Sequence, residues 1–146
     1  PYALVNDSFQ NWRGMEESAG RRITLSFNID TESVKFCSEQ ELLKYGKFIQ
    51  IPHDTQSHKH ITNLELYRMY LLKMILANPQ VNTHLTIMVR YLQSGPDGIP
   101  LQLYCFSKDK EWVIYEGIQA AILEQAVASA NLFDISIFQM AFKTGA

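Results

Sequence analysis

Apolar and polar positions alternate most regularly over residues 22–29, where Ile23, Leu25, Phe27 and Ile29 share one parity and Thr24, Ser26 and Asn28 the other. A period of two sends successive side chains to opposite faces, so this run predicts a half-buried strand. A shorter run, Ser33-Val34-Lys35-Phe36-Cys37, either prolongs that strand after a turn or adds a small one. The period then lengthens. Ser38 with Glu41 makes a capping box ahead of Leu42, Leu43, Tyr45 and Phe48, which predicts a short helix broken at Gly46. Residues 51–60 open with Ile51-Pro52 and lack periodicity, as a loop does. Thr62 with Glu65 forms a second capping box, and Leu64, Tyr67, Leu71, Met74 and Ile75 recur at helical spacing until Asn78-Pro79.

The second half repeats this sequence of periods. Leu85, Ile87, Val89 and Tyr91 alternate with Thr86, Met88 and Arg90, and Leu101, Leu103 and Cys105 alternate with Gln102, Tyr104 and Phe106. Between them Ser94-Gly95-Pro96-Asp97-Gly98 has the composition of a turn, so the pair predicts a hairpin with apolar groups on both faces. A long helix is expected from about residue 110 to 131, with Ile114, Gly117, Ile118, Ala121, Ile122 and Gln125 on its packing stripe. Phe133, Ile135 and Ile137 predict a final strand. The order strand, helical segment, strand, strand, helix, strand defines an α+β fold, the split βαβ of a ferredoxin-like sandwich with helices on one face of an antiparallel sheet.

Composition narrows the picture further. At 146 residues and 47% hydrophobic, the chain can bury one ordinary domain core. No window approaches the roughly 18 consecutive apolar residues of a membrane-spanning helix. The chain opens on Pro1 without an initiator Met or a signal-like segment, which reads as an excised piece. A net charge of -2 with both signs interspersed argues against nucleic acid as the main partner. Cys37 and Cys105 do not form a CxxC pair and are expected to be reduced, structural thiols.

Candidate chemistry is sparse. His53, Asp54, His58 and His60 are good zinc or nickel ligand types, but their spacing matches no recognised ligand pattern. A solvated polar loop is the simpler reading, so no metal and no cofactor are assigned. There is no nucleophile with a base, no carboxylate pair in an apolar run and no phosphate-cradling glycine loop, and catalysis is not expected. Asn11 and Arg13 are types that some ferredoxin-like hydrolases use to hold an acyl phosphate, yet both precede the first strand. Trp12 with Arg13, Arg21 and Arg22 instead suggests contacts to a neighbouring domain or subunit, because Trp and Arg are favoured interface anchors.

Taken in order, Asn11-Trp12-Arg13-Gly14-Met15, Gly20-Arg21-Arg22, Asn28-Ile29-Asp30, Thr62-Asn63-Leu64, Leu85-Thr86-Ile87-Met88-Val89-Arg90, Gly98-Ile99-Pro100-Leu101 and Tyr115-Glu116-Gly117-Ile118-Gln119-Ala120 resemble the C-terminal cytosolic region of small-conductance mechanosensitive channels, in their miniconductance branch. The resemblance covers nearly the whole chain; each motif is weak alone and the order carries the specificity. It implies that residues 1–20 finish a small β domain below the pore and that residues 21–146 form the α/β domain of a cytosolic vestibule. It further implies a homo-oligomeric ring, usually heptameric, attached through an upstream region to the inner membrane of a bacterium, with ions as the transported species and osmotic protection as the role. Asn11, Trp12, Arg13, Arg21 and Arg22 are then domain or subunit interface residues. The alternative is a stand-alone ferredoxin-like regulatory module that binds a small metabolite. An acylphosphatase-like enzyme ranks third, since Thr31-Glu32-Ser33 after the first strand offers no anion-binding loop.

Overall fold

In the computed structural model, residues 19–52 and 60–139 are described. Strand β1 (Arg21–Ile29) leads through a 3-10 turn, Thr31–Ser33, to helix α1 (Glu39–Tyr45) and helix α2 (Asn63–Leu76). Strands β2 (Met88–Tyr91) and β3 (Ile99–Ser107) form the hairpin, and helix α3 (Trp112–Ser129) runs into a second 3-10 turn, Ala130–Phe133. The sheet is antiparallel in the order β1-β3-β2. A single antiparallel pair, Ile29 with Ile137, adds the chain's last described stretch beside β1. This is the ferredoxin-like split βαβ order, with the fourth strand represented among the described residues by that one pair.

Register decides which side chains meet. Ile23 lies opposite Cys105, Leu25 opposite Leu103 and Phe27 opposite Leu101, and Val89 faces Leu103 from the other side. These positions turn towards the helices, and Ile23, Leu101, Leu103 and Cys105 are fully buried. The opposite parity gives Ser26 across from Gln102 and Thr24 across from Tyr104, the open face of the sheet. Leu64, Tyr67, Leu71 and Ile75 pack from α2, as their spacing predicts. Burying Tyr67 on this face leaves its hydroxyl in an apolar setting, and it donates to the carbonyl of Ala126 on α3.

Of the two predicted capping boxes, the first forms in full and the second is observed only in its hydroxyl half. In α1 the Ser38 hydroxyl accepts the Glu41 N–H and the Glu41 carboxylate accepts the Ser38 N–H. In α2 the Thr62 hydroxyl accepts the Glu65 N–H. The run 33–37 becomes neither a strand extension nor an element of its own; only Phe36 pairs, with Thr62. Leu43, expected on the packing side of α1, is 77% exposed, because Tyr45 and not Leu43 points at the core.

Three further expectations are corrected. Strand β2 starts at Met88, and Leu85–Ile87 fall in a loop: Val81 pairs with Ser107 and Met88 with Tyr104, so the intervening stretch is too long for the β3 residues opposite it and loops out. The inward stripe of α3 is Ile118, Ile122, Ala126 and Ser129, while Ile114, Gly117, Ala121 and Gln125 are exposed. Nearly every residue of that helix is apolar or small, so composition alone does not say which stripe faces in. Phe133 is not in a strand. It closes the 3-10 turn and is ringed by Tyr45, Phe48, Tyr67 and Tyr70 at centroid distances of 5.5, 6.2, 6.0 and 5.4 Å.

Close backbone approach explains two glycines. Gly98 has φ of 94°, and a Cβ there would lie 2.2 Å from the Ile29 carbonyl oxygen. At Gly20 a Cβ would lie 2.3 Å from the Ser107 carbonyl oxygen, so the chain enters β1 pressed against the end of β3. Buried Asn63 ties the helical layer to both connections. Its Oδ1 accepts the Lys35 N–H at 2.9 Å, and its Nδ2 donates to the carbonyls of Ser33 and Phe133, each at 2.9 Å. At the far edge of the sheet the Arg68 guanidinium reaches the Val89 carbonyl at 3.5 Å.

Candidate functional site

The corner where β1 and α3 both begin gathers the strongest interface-type residues. Arg21 and Arg22 are the first residues of β1 and are exposed. Register brings them beside the start of α3, where Tyr115 engages both: the Arg21 guanidinium stacks 4.4 Å from the Tyr115 ring centre, and the Tyr115 hydroxyl donates to the Arg22 carbonyl. Burial raises the Tyr115 phenol above its ordinary value, against the opposing pull of the Arg21 cation. The arginine pair therefore also joins strand to helix inside the domain, while the Arg22 head remains exposed. Asn11, Trp12 and Arg13 lie outside the described residues.

Trp112 and Val113 extend this corner outward, at 65% and 71% exposure. The Trp112 indole N–H donates to Glu116 one turn along at 3.3 Å, which holds the ring across the helix surface. Further down the same helix Leu123 and Val127 are also exposed. A helix of 18 residues with apolar side chains both inside and outside is the form expected of an element covered on two sides. Sequence reasoning passed over Trp112. Its signal was the indole at the helix start, four residues ahead of a carboxylate.

A polar network on another side joins α1 to the turn after α3. Asp134, at φ 57°, accepts from Tyr45 at 2.5 Å and pairs with Lys44 at 3.0 Å. Lys35 bridges Glu41 and approaches Asp134 at 3.9 Å. The Tyr45 hydroxyl and the Lys44 ammonium hold the Asp134 carboxyl below the usual carboxylate range, and burial, with the Asp134 hydrogen bond, holds the Tyr45 phenol far above its own. Neither group is poised to exchange a proton near neutral pH, so the network fastens elements together and does not offer acid-base chemistry.

Burial pushes the Cys37 thiol up to about 11 and the Cys105 thiol up to about 12, and both are free. Thiols so disposed are weak nucleophiles and weak ligands. His60 stacks edge-on against Phe36 at 6.2 Å, while His53 and His58 lie outside the described residues. Among the described residues no group of three or more His, Cys, Asp or Glu is arranged to hold a metal, and no helix is long and apolar enough to cross a membrane. An open groove of about 450 Å³ runs between the end of α2 and the middle of α3, bordered by Tyr70, Lys73, Met74, Asn78, Ala121 and Gln125. With one cation and few polar groups converging on it, the groove has little with which to orient a small ligand. No protein-family model matches the chain.

Proposed function

We propose that this chain is the cytosolic vestibule domain of a tension-gated channel of the small-conductance mechanosensitive type, serving ring assembly, solute filtering and modulation of gating during osmotic stress. The assignment to that type rests on the ordered motifs from Asn11 to Ala120. The structural observation that supports an assembly role is the exposed corner of Arg22, Trp112 and Val113, continued by Leu123 and Val127 along α3. It combines the residue types that anchor protein interfaces with a stretch of helix surface that has no cover within the described chain. The corner adjoins Gly20, where the preceding segment enters, so a contact made there is coupled to whatever precedes β1. In a ring below a pore, heterologous contacts of this kind link neighbouring copies and let subunit packing bias closed and open populations.

Pressure-activated currents from patches containing the full-length product, in a host without such channels of its own, test the reading. Small suction-gated currents are the expected result. Silence despite verified membrane insertion shifts the function to the alternative, a ferredoxin-like regulator binding a small metabolite, for which the groove beside Lys73 is one of several open grooves among the described residues.

A further inference from the structure

Two exposed apolar patches lie on opposite flanks of the domain, and they differ in the sign of their charge. Helix α3 packs against β1 and α2 against β2, which sets the two helices over the two sides of the sheet. On α3, Ala121 and Gln125 border the groove towards α2, while Ile118, Ile122 and Ala126 face the core. At about 100° per residue, Trp112, Leu123 and Val127 fall roughly half a turn from Ala121 and Gln125, on the flank turned away from α2. All three are exposed, and the only charged residues within α3 are Glu116 and Glu124. Arg21, at the foot of this flank, is taken up by the Tyr115 ring. On the far flank Tyr91 and Leu92 are exposed at the end of edge strand β2, whose one charged residue is Arg90. Arg68 joins it from α2, and these two cations outnumber the single acid, Glu65, that acts on Tyr91.

From this we infer that the outer flank of α3 in one copy docks on the β2 flank of a second copy. The inference rests on the assembly reading above and adds which surface the helix meets. Charge selects that surface. Pairing α3 with α3 sets Glu116 and Glu124 against their own copies, and pairing β2 with β2 does the same for Arg90, whereas the crossed pairing sets acid against base. Each flank also carries a large aromatic, Trp112 on one and Tyr91 on the other, as the apolar centre that charged residues then surround. Because the two flanks lie on opposite sides of the sheet, the contact is heterologous. Every copy offers one donor flank and one acceptor flank, so copies add in a single direction until the rotation closes on itself.

Site-directed cross-linking in cells making the full-length product tests it. One copy carries Leu123→Cys and the other Tyr91→Cys, both in a Cys37→Ser background, since Cys105 is buried. A short bismaleimide should join the copies when the two variants are made together and give little product from either variant alone. Glu124→Arg should lower the yield of the mixed pair about fivefold, and Arg90→Glu in the other copy should restore it. If Leu123→Cys alone gives as much product as the mixture, two α3 helices pair with each other and the inference is overturned. No product from the mixture, or a yield that neither charge reversal moves, overturns it as well. Pressure-activated currents from the same cells keep the two readings apart. Currents without the mixed product refute this contact and leave the channel standing, while the mixed product without currents keeps the contact and refutes the channel.

Discussion

The Tyr45 hydroxyl donates to Asp134 Oδ2 at 2.5 Å, across a sequence separation of 89 residues, and so joins the short helix α1 to the reversal that follows α3. The left-handed backbone at Asp134 aims its carboxylate back at Tyr45 and Lys44. A polar pair thus sits at the rim of the aromatic cluster around Phe133.

Acid should weaken this fastening. The folded-state value of Asp134 is depressed, so its contribution is present above the unfolded carboxylate range and is lost as pH falls through the folded value. Because the Asp134 side chain is 36% exposed, solvent screening limits the effect, and Asp134→Asn, which tolerates the left-handed backbone, is expected to cost about 1 kcal/mol at pH 7. Thermal melts of both proteins should converge as pH falls below the depressed folded-state value of Asp134.

Asn63 is expected to be the most costly polar residue to remove. Asn63→Ala strips partners from the Lys35 N–H and from the Ser33 and Phe133 carbonyls at once, the last of them in a buried bond. A loss of about 2 to 3 kcal/mol in urea unfolding is expected, with little change in slope.

The two glycines of the hairpin turn should behave oppositely. Gly98→Ala meets both a positive φ and the Ile29 carbonyl, and should destabilise by about 2 kcal/mol or more. A Cβ at Gly95 has nothing within 4 Å, so Gly95→Ala should stay within about 0.5 kcal/mol of the parent. Chemical denaturation of the pair checks the contrast.

At the exposed corner, stability and assembly should separate. Trp112→Ala and Val127→Glu replace solvent-facing side chains and should alter domain stability by less than about 0.5 kcal/mol. In the full-length protein the same changes should lower oligomer mass or shift the tension threshold, and Trp12→Ala or Arg13→Ala should act in the same direction. Unaltered mass and threshold in all four would remove the contact role.

Much of the fold was legible because its signals were local. The alternation from Ile23 to Ile29, the Ser38 and Thr62 caps and the turn ending in Gly98 each specify backbone without help from distant residues. Misreadings arose where packing chose between equal patterns. Ile114 and Ile118 fit a helical stripe equally well, and only the sheet selects Ile118. Phe133 suits a strand by composition, yet four aromatic rings draw it into a turn. The engagement of Arg21 and Arg22 by Tyr115 was beyond reach, since it depends on a pairing across more than ninety residues.

Arg68 also limits the shapes that copies of this chain can build together. A guanidinium placed over the Val89 carbonyl puts charge where an incoming strand would have to lie, on an edge only four residues long. Sheet-to-sheet growth through that side is therefore discouraged. If copies of this chain stand side by side there, they meet through side chains, in joints that can slide or part without rupturing a ladder.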